Sequence, residues 1–183
     1  MPFMSILTRH HPGRSNVLRR CIDSVNKQTD KDFEHIIFYD DKLEGIPSAN
    51  LIFSDRKEFV TGDYVFILDD DDFLRADDFI SDMRHLVENC GAPALIITRV
   101  LMENIVYPRI SVWGTNFISP GTIGSSCVVV SNHLWHNNIG NFKTSDTPGD
   151  FNFINSLFLE NPTIEWRDKV YVEVPHLSWG RSE

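Results

Sequence analysis

Four consecutive aspartates, Asp69–Asp72, follow directly on the apolar run Tyr64–Leu68. Neighbouring carboxylates repel one another by about 1 kcal/mol per close pair in water, and by several-fold more where the dielectric is low. A hard divalent cation such as Mg²⁺ or Mn²⁺ would neutralise them, because it prefers oxygen ligands and accepts phosphate oxygens at its remaining positions. The alternative is a solvated acidic loop, which is what most charge runs are.

Two further acidic positions stand at the ends of predicted elements. Asp40 and Asp41 follow the predicted strand Glu34–Tyr39, and Asp150 lies in the first turn of a helix predicted from Pro148 to Leu159. Ligands of open α/β sheets bind at the carboxyl ends of the strands, so we expect these acids to face the same edge. The alternatives are an aspartate pair that caps a turn and an aspartate that stabilises a helix start.

The elements that position these acids alternate between strand and helix in the first half of the chain. This order predicts an α/β fold with a mostly parallel central sheet and helices on both faces. Helices are also predicted to begin at Ser15 or Asn16 and at Asp77. The other predicted strands are Met4–Thr8, Leu51–Ser54, Ala94–Val100, Cys127–Ser131 and Lys169–Val174, with Glu103–Tyr107 and Ile110–Trp113 expected to pair.

Repeats, low-complexity stretches and linkers are not found, so residues 1–183 are predicted to form a single domain. Its second half is less regular than the first. The segment Ser119–Ser126 consists largely of small residues and is predicted to be a loop that lets a ligand approach the backbone.

Composition narrows the class of protein. A net charge of −9 argues against nucleic-acid binding, although a bound metal would still permit a phosphorylated substrate. The three cysteines are far apart, which is typical of reduced thiols in a cytoplasmic protein. We see neither a signal peptide nor an apolar run long enough to span a bilayer.

Taken in order, several segments resemble family 2 glycosyltransferases of the GT-A type, over nearly the whole chain. These segments are Ser5–Arg9, Leu18–Val25 with Gln28-Thr29, Asp32–Ile37 leading to Asp40-Asp41, and Gly62–Asp72. The resemblance implies a Rossmann-like GT-A domain. Residues 1–100 would bind the nucleotide sugar, and residues 101–183 would form a small, irregular acceptor side.

By this resemblance, Asp69 and Asp71 correspond to the Asp-x-Asp element of the family. Asp71 would contact the metal directly, and Asp69 would reach the ribose or a metal-bound water. Asp70 occupies the variable middle position within the nucleotide-binding set, and Asp72 is an additional acid. His176 is similar to the C-terminal histidine that completes the metal site in many GT-A enzymes, and its nitrogen favours Mn²⁺ over Mg²⁺.

The resemblance also places the donor nucleotide. Asp40 or Asp41 would accept the N3–H of a uracil or thymine, so a UDP-sugar donor is favoured. Thr8 and Arg9 would lie beside the base and ribose, and Arg14 or Arg181 could bind a phosphate.

Asp150 corresponds to the family's general base, which deprotonates the acceptor hydroxyl; Asp146 is the alternative. The expected reaction is inverting, metal-dependent transfer of a hexose from a nucleotide-diphosphate sugar to a glycan or other hydroxyl acceptor. The chain departs from the family at Gly149, where an acid usually precedes the base, and at Lys42, where a Gly-Ser turn is usual. A degenerate sugar-nucleotide binding module and a metal-dependent phosphohydrolase or nucleotidyltransferase are the alternatives.

Overall fold

The computed structural model describes residues 1–10, 15–39, 57–142 and 149–175. The strand predicted at Leu51–Ser54 lies outside the described residues. No helix in the described ranges is long and apolar enough to cross a membrane.

The strands and helices follow one another in an order close to the predicted one. The strands are β1 (Met4–His10), β2 (Phe33–Tyr39), β3 (Tyr64–Ile67), β4 (Phe73–Leu74), β5 (Leu95–Met102), β6 (Ile105–Tyr107), β7 (Val128–Ser131) and β8 (Ile164–Val174). The α-helices are α1 (Ser15–Asn26), α2 (Phe79–Asn89), α3 (Asn132–Asn138) and α4 (Gly149–Leu159).

The described strands form one sheet in the order β2-β1-β3-β7-β5-β8-β4, with β6 paired to β5. β1 is parallel to both β2 and β3, and β5 is parallel to β8, whereas the other pairings are antiparallel. The predicted α/β fold class is confirmed. Because β1, β2 and β3 run in the same direction, the segments that follow them leave the sheet at the same edge.

Apolar spacing explains why the helices pack on this sheet. In α1, Leu18, Cys21 and Val25 recur every three or four residues and are buried, which matches the inward face of a helix. In α2, the same spacing buries Phe79 and Met83. Burial of each large apolar side chain contributes about 1.5–3 kcal/mol, so these two faces fix the helices beside the strands that carry the acids.

The start of β3 is held against β1 by a glycine and a partly buried carboxylate. A Cβ atom on Gly62 would lie 2.5 Å from the backbone nitrogen of Ser5, so no side chain fits there. Glu34 on β2 accepts hydrogen bonds from the Ser5 hydroxyl (2.5 Å) and from the backbone N–H groups of Thr61 (2.7 Å) and Gly62 (3.2 Å). This network sets the position of β3 and hence of the acids that follow it.

Three expectations for the second half need correction. The segment Ile110–Trp113 is a turn rather than a strand, because Glu103 and Asn104 adopt positive φ and close a tight hairpin that pairs β6 with β5. The helix α3 was not predicted. β8 begins at Ile164 rather than at Lys169, because its first residues pair with β5.

Candidate functional site

The acidic segment leaves β3 as a tight turn. The Leu68 N–H still donates to the carbonyl of Leu7 on β1 (2.9 Å), and the Asp72 N–H donates to the carbonyl of Asp69 (3.0 Å). The side chains then alternate, since Asp70 and Asp72 are 1% and 3% exposed while Asp69 and Asp71 are partly exposed. The turn therefore offers Asp69 and Asp71 to a ligand and directs the other two carboxylates inward.

Each inward carboxylate has a hydrogen-bond partner from a distant part of the chain. Asp70 Oδ2 lies 2.9 Å from Nδ1 of His10, at the end of β1. Asp72 Oδ2 accepts a hydrogen bond from the hydroxyl of Ser126 (2.6 Å), just before β7. These two contacts brace the turn from both sides. The predicted nucleotide contact of Asp70 has no support from its buried position and stays a prediction.

The carboxylates of the turn perturb one another. Burial raises the pKa of Asp69, and the charges of Asp71, Asp70 and Asp150 raise it further, against the opposing effect of Arg9. Burial also raises the pKa of Asp72, followed by the charge of Asp69. Burial is the largest cause in both cases, and the smaller effect of the neighbouring carboxylates is one that a bound cation would relieve.

Among the described residues, Arg9 forms an ion pair with the acidic turn, and its charge lowers the pKa of Asp69. Its Nη2 atom lies 3.9 Å from Oδ1 of Asp69, a long ion pair. Its Nε atom is buried and has no hydrogen-bond partner among the described residues. A buried donor without a partner costs roughly 1–3 kcal/mol, so this nitrogen is suited to an anionic or polar ligand.

The neighbouring Thr8 is directed inward. Its side chain is fully buried, and its hydroxyl lies 2.8 Å from Nε2 of His35 on β2. Burial lowers the pKa of His35 to about 4, so this histidine is neutral at pH 7. The side chain of Thr8 is thus occupied within the protein, and its predicted contact with the base and ribose has no support from side-chain geometry.

Asp150 lies at the start of α4, where its Oδ1 accepts a hydrogen bond from the Phe151 N–H (2.8 Å). Burial raises its pKa, while that N–H and the charge of Arg9 oppose the rise. Because Asp150 also acts electrostatically on Asp69, the fold brings together a carboxylate more than 75 residues away in sequence and the acidic turn. A carboxylate with a raised pKa is a stronger proton acceptor than an ordinary one, as a general base requires.

Similar architectures are known among solved structures. S. aureus TarS 1–349 in complex with UDP-GlcNAc superposes with a TM-score of 0.70 at 13% identity, over 98% of this chain and 59% of that one. Mannosyltransferase PcManGT from Pyrobaculum calidifontis, in complex with GDP-Man and Mn²⁺, gives 0.70 at 12% identity, over 98% and 58%. The chain has the GT-A fold. The GT-A recognition made from the sequence is confirmed at the level of the fold.

The sequence itself carries a weaker signal than the fold. No protein-family model matches the chain, and no curated protein matches it. The chain spans about three-fifths of the length of TarS 1–349 and of PcManGT. At identities this low, the structural match establishes the GT-A architecture only, and the activity has to be argued from the site.

The resemblance found in the sequence implies a divalent ion, and the two partly exposed carboxylates of the turn fit one in a particular way. Among the described residues, no group of three or more histidine, cysteine, aspartate or glutamate side chains surrounds a common metal position. Mg²⁺ and Mn²⁺ are commonly held by one or two carboxylates together with substrate phosphates. Asp69 and Asp71 therefore fit an ion shared with a diphosphate better than an ion enclosed by protein ligands alone.

Several predicted site residues lie outside the described ranges, namely Asp40, Asp41, His176, Asp146, Arg14 and Arg181. Their predicted roles stay predictions. The end of β8 is nevertheless informative, because Glu173 pairs with Phe73 in an antiparallel register. Since Phe73 directly follows Asp72, the C-terminal end of β8 lies beside the acidic turn.

Sequence reasoning missed His10 and Ser126. Each contacts an aspartate more than 50 residues away, and no local pattern reports such a contact. One signal was present for Ser126, because it belongs to the small-residue loop Ser119–Ser126 that was expected to approach a ligand.

Proposed function

We propose that the chain is an inverting, metal-dependent glycosyltransferase. It would move a hexose from a nucleotide-diphosphate sugar, with a UDP-sugar favoured, to a hydroxyl of a glycan or another acceptor. The observation that carries this proposal is the convergence of one cation and three accessible carboxylates at one edge of a GT-A sheet. These residues are Arg9, Asp69, Asp71 and Asp150.

The acidic turn and Arg9 would bind the donor. Asp69 and Asp71 would hold the divalent ion, which supplies positive charge to the diphosphate as it leaves. The Nε of Arg9, which has no partner in the described protein, would donate a hydrogen bond to the donor. Because His10 and Ser126 already fix the two buried aspartates, the turn needs little rearrangement to bind the ion.

Asp150 would act on the acceptor. Its carboxylate would take the proton of the acceptor hydroxyl as the oxygen attacks the anomeric carbon from the face opposite the diphosphate. The new glycosidic bond forms while the sugar–phosphate bond breaks, so the configuration inverts. General-base assistance of this kind contributes about 10²–10⁴-fold. The Phe151 N–H would keep the carboxylate oriented during this step.

The solved structures support the donor class. TarS 1–349 is known in complex with UDP-GlcNAc, and PcManGT in complex with GDP-Man and Mn²⁺. These two ligands share a nucleoside diphosphate and a hexose and differ in base and sugar. The preference for UDP in this chain rests on the resemblance at Asp40 and Asp41.

Thermal-shift screening of UDP- and GDP-sugars, with Mn²⁺ and with a chelator, tests the donor proposal. A cognate donor should raise the melting temperature with Mn²⁺ only, since the proposed site binds the diphosphate through the ion. A ligand at a hundred times its Kd stabilises the folded protein by about 2.7 kcal/mol. Stabilisation by no nucleotide sugar would contradict the proposal.

Gly149 keeps a second candidate open, a module that binds a nucleotide sugar without transferring it, because the usual acid before the base is absent. Slow release of free sugar from the stabilising donor separates the two. Release with Mn²⁺ that is lost in Asp150→Asn supports the transferase. Tight binding with no release from any donor supports the binding module.

A further inference from the structure

A second charged region lies beside α1, and it is basic. A cavity of about 530 Å³ lies between the outer face of α1 and the segment that follows the acidic turn. Four cationic side chains line it, Arg19, Arg20, Lys27 and Arg75. This is nearly a quarter of the 17 lysines and arginines in a chain whose net charge is −9, so positive charge is concentrated here.

The wall of this cavity is rigid. The residues on either side are joined by hydrogen bonds from the Leu74 N–H to Ser24 Oγ (3.0 Å), from Gln28 Nε2 to the Ala76 carbonyl (2.7 Å) and from the Thr29 N–H to the Asp77 carbonyl (2.7 Å). The backbone that carries the cations is therefore fixed before any ligand arrives. Preorganisation of this kind reduces the entropy lost on binding.

The guanidinium of Arg20 is oriented in advance. Its central carbon lies 3.5 Å from the ring centroid of Phe73, a cation–π contact that leaves the edge of the guanidinium available for hydrogen bonding. Within the described chain, Arg19, Arg20 and Lys27 form no ion pair, and Arg75 forms one long pair with Glu173 (3.7 Å). Among the described residues, Arg75 is thus the one cation of the lining whose charge is offset by an ion pair.

Two acids, Asp23 and Asp77, also line the cavity, and neither forms an ion pair within the described residues. Asp23 is four residues after Arg19 on the same face of α1, and four residues before Lys27, which directly follows the helix. Among the described residues, the lining thus carries four cations and two acids, and a third acid, Glu173, pairs with Arg75. These acids would reduce the affinity for an anion without abolishing it.

We propose that this cavity is a binding site for a ligand bearing a diphosphate or a comparable pair of phosphoryl groups. Guanidinium groups bind phosphate oxygens through paired, charge-assisted hydrogen bonds, and two arginines with a lysine match a group with several negative oxygens. The site is distinct from the acidic turn, needs no metal ion, and does not depend on the proposed transferase activity.

Titration of the full chain with pyrophosphate in the presence of EDTA tests the proposal, with calorimetry and amide chemical shifts as readouts. We expect binding with shifts confined to α1 and residues 73–77. Arg20→Gln should weaken it by about ten- to a hundredfold, the range for loss of hydrogen bonds to a charged group. Asp23→Asn should tighten it, because the lining becomes more positive.

The controls place the binding. Arg109→Gln changes an exposed arginine in another part of the chain and should leave the affinity unchanged, and all variants should keep the wild-type melting temperature. Absence of binding would overturn the proposal. It would also be overturned by binding lost in Arg9→Gln and retained in Arg20→Gln, which would place pyrophosphate at the acidic edge. Equal affinity for citrate would overturn the assignment to phosphoryl groups.

Discussion

The acidic turn and the basic cavity meet at neighbouring residues, Asp72 and Phe73, yet they are built in opposite ways. The inward carboxylates of the turn are almost fully buried. Burial raises the pKa of Asp69 and of Asp72, and the charges of neighbouring aspartates raise both further. The cations of the cavity are exposed at the ends of long side chains, and three of them have no ion pair within the described chain.

This difference decides how much each region says about ligands. Like charges held close together under a reduced dielectric destabilise the folded protein, so their retention points to a ligand that neutralises them. Exposed cations repel one another weakly and destabilise the fold very little. A cation at the turn is therefore inferred from the repulsion between its carboxylates. An anion in the cavity is inferred from the shape of the cavity and the hydrogen-bonding groups of its cations.

The largest effect is expected at Asp71, one of the two partly exposed carboxylates of the turn. Asp71→Ala should remove the stabilisation by nucleotide diphosphate with Mn²⁺ altogether, because one of the two carboxylates available to the ion is lost. Calorimetry with UDP and GDP measures this. Asp63→Ala, which removes an exposed acid before β3, is the matched control and should bind like the wild type. Unchanged affinity in Asp71→Ala would assign the ion to other residues.

At the acceptor side, Asp150→Asn should lower kcat by about 10²–10⁴-fold and leave donor binding intact. The amide can still accept the Phe151 N–H hydrogen bond, so the helix start should persist. Turnover with a saturating donor and calorimetric donor affinity are the two measurements. Turnover of this variant at the wild-type rate would show that another residue is the general base.

Within the turn, Asp72→Asn should raise the melting temperature of the metal-free protein, because it removes about 1 kcal/mol or more of repulsion while keeping an acceptor for Ser126. The raised pKa of Asp72 gives the sign. The aspartate destabilises the fold once pH exceeds its unfolded pKa near 4, so the advantage of asparagine should disappear well below about pH 4 and grow as the pH rises above it.

Thermal melts of both proteins across this range, without metal, measure that advantage. His35, whose pKa is lowered to about 4, titrates in both proteins and cancels in the comparison. An advantage of asparagine that stays constant with pH would show that Asp72 is not destabilised by its neighbours.

The smallest effect is expected in the basic cavity. Lys27→Gln and Arg19→Gln should each change the free energy of unfolding by no more than about 0.5 kcal/mol, as for most exposed substitutions. Urea denaturation without ligand measures this. A clear gain in stability in either variant would show that the cations also repel one another strongly, and the contrast between the two regions would disappear.

Sequence reasoning worked best where local periodicity and global position agree. The strands β1, β2 and β3 and the start of the helix α1 were predicted within one or two residues of their observed positions, with β1 extended by two residues. Each is a short apolar run or an amphipathic helix packed on the core, so the spacing of apolar residues within the segment predicts which side chains are buried. The acidic turn was placed correctly after β3 for the same reason.

The rest depends on contacts between distant residues. The hairpin at Glu103 and Asn104 pairs β6 with β5, and Ile110–Trp113 forms a turn although three of its four residues are apolar. The helix α3 buries only part of one face, chiefly through Leu134 and Trp135, which is too weak a periodicity to recognise. The contacts of Asp70 with His10 and of Asp72 with Ser126 could not be predicted, because no pattern among neighbouring residues indicates them.

Gly62 gives this architecture a practical consequence for protein engineering. A substitution library that improves expression or solubility can vary the exposed residues around β3 freely, but any residue other than glycine at position 62 would push β1 and β3 apart. Variants that lose activity at this position would report a shifted acidic turn rather than a missing chemical group. A stability screen carried out beside an activity screen would separate these two kinds of loss.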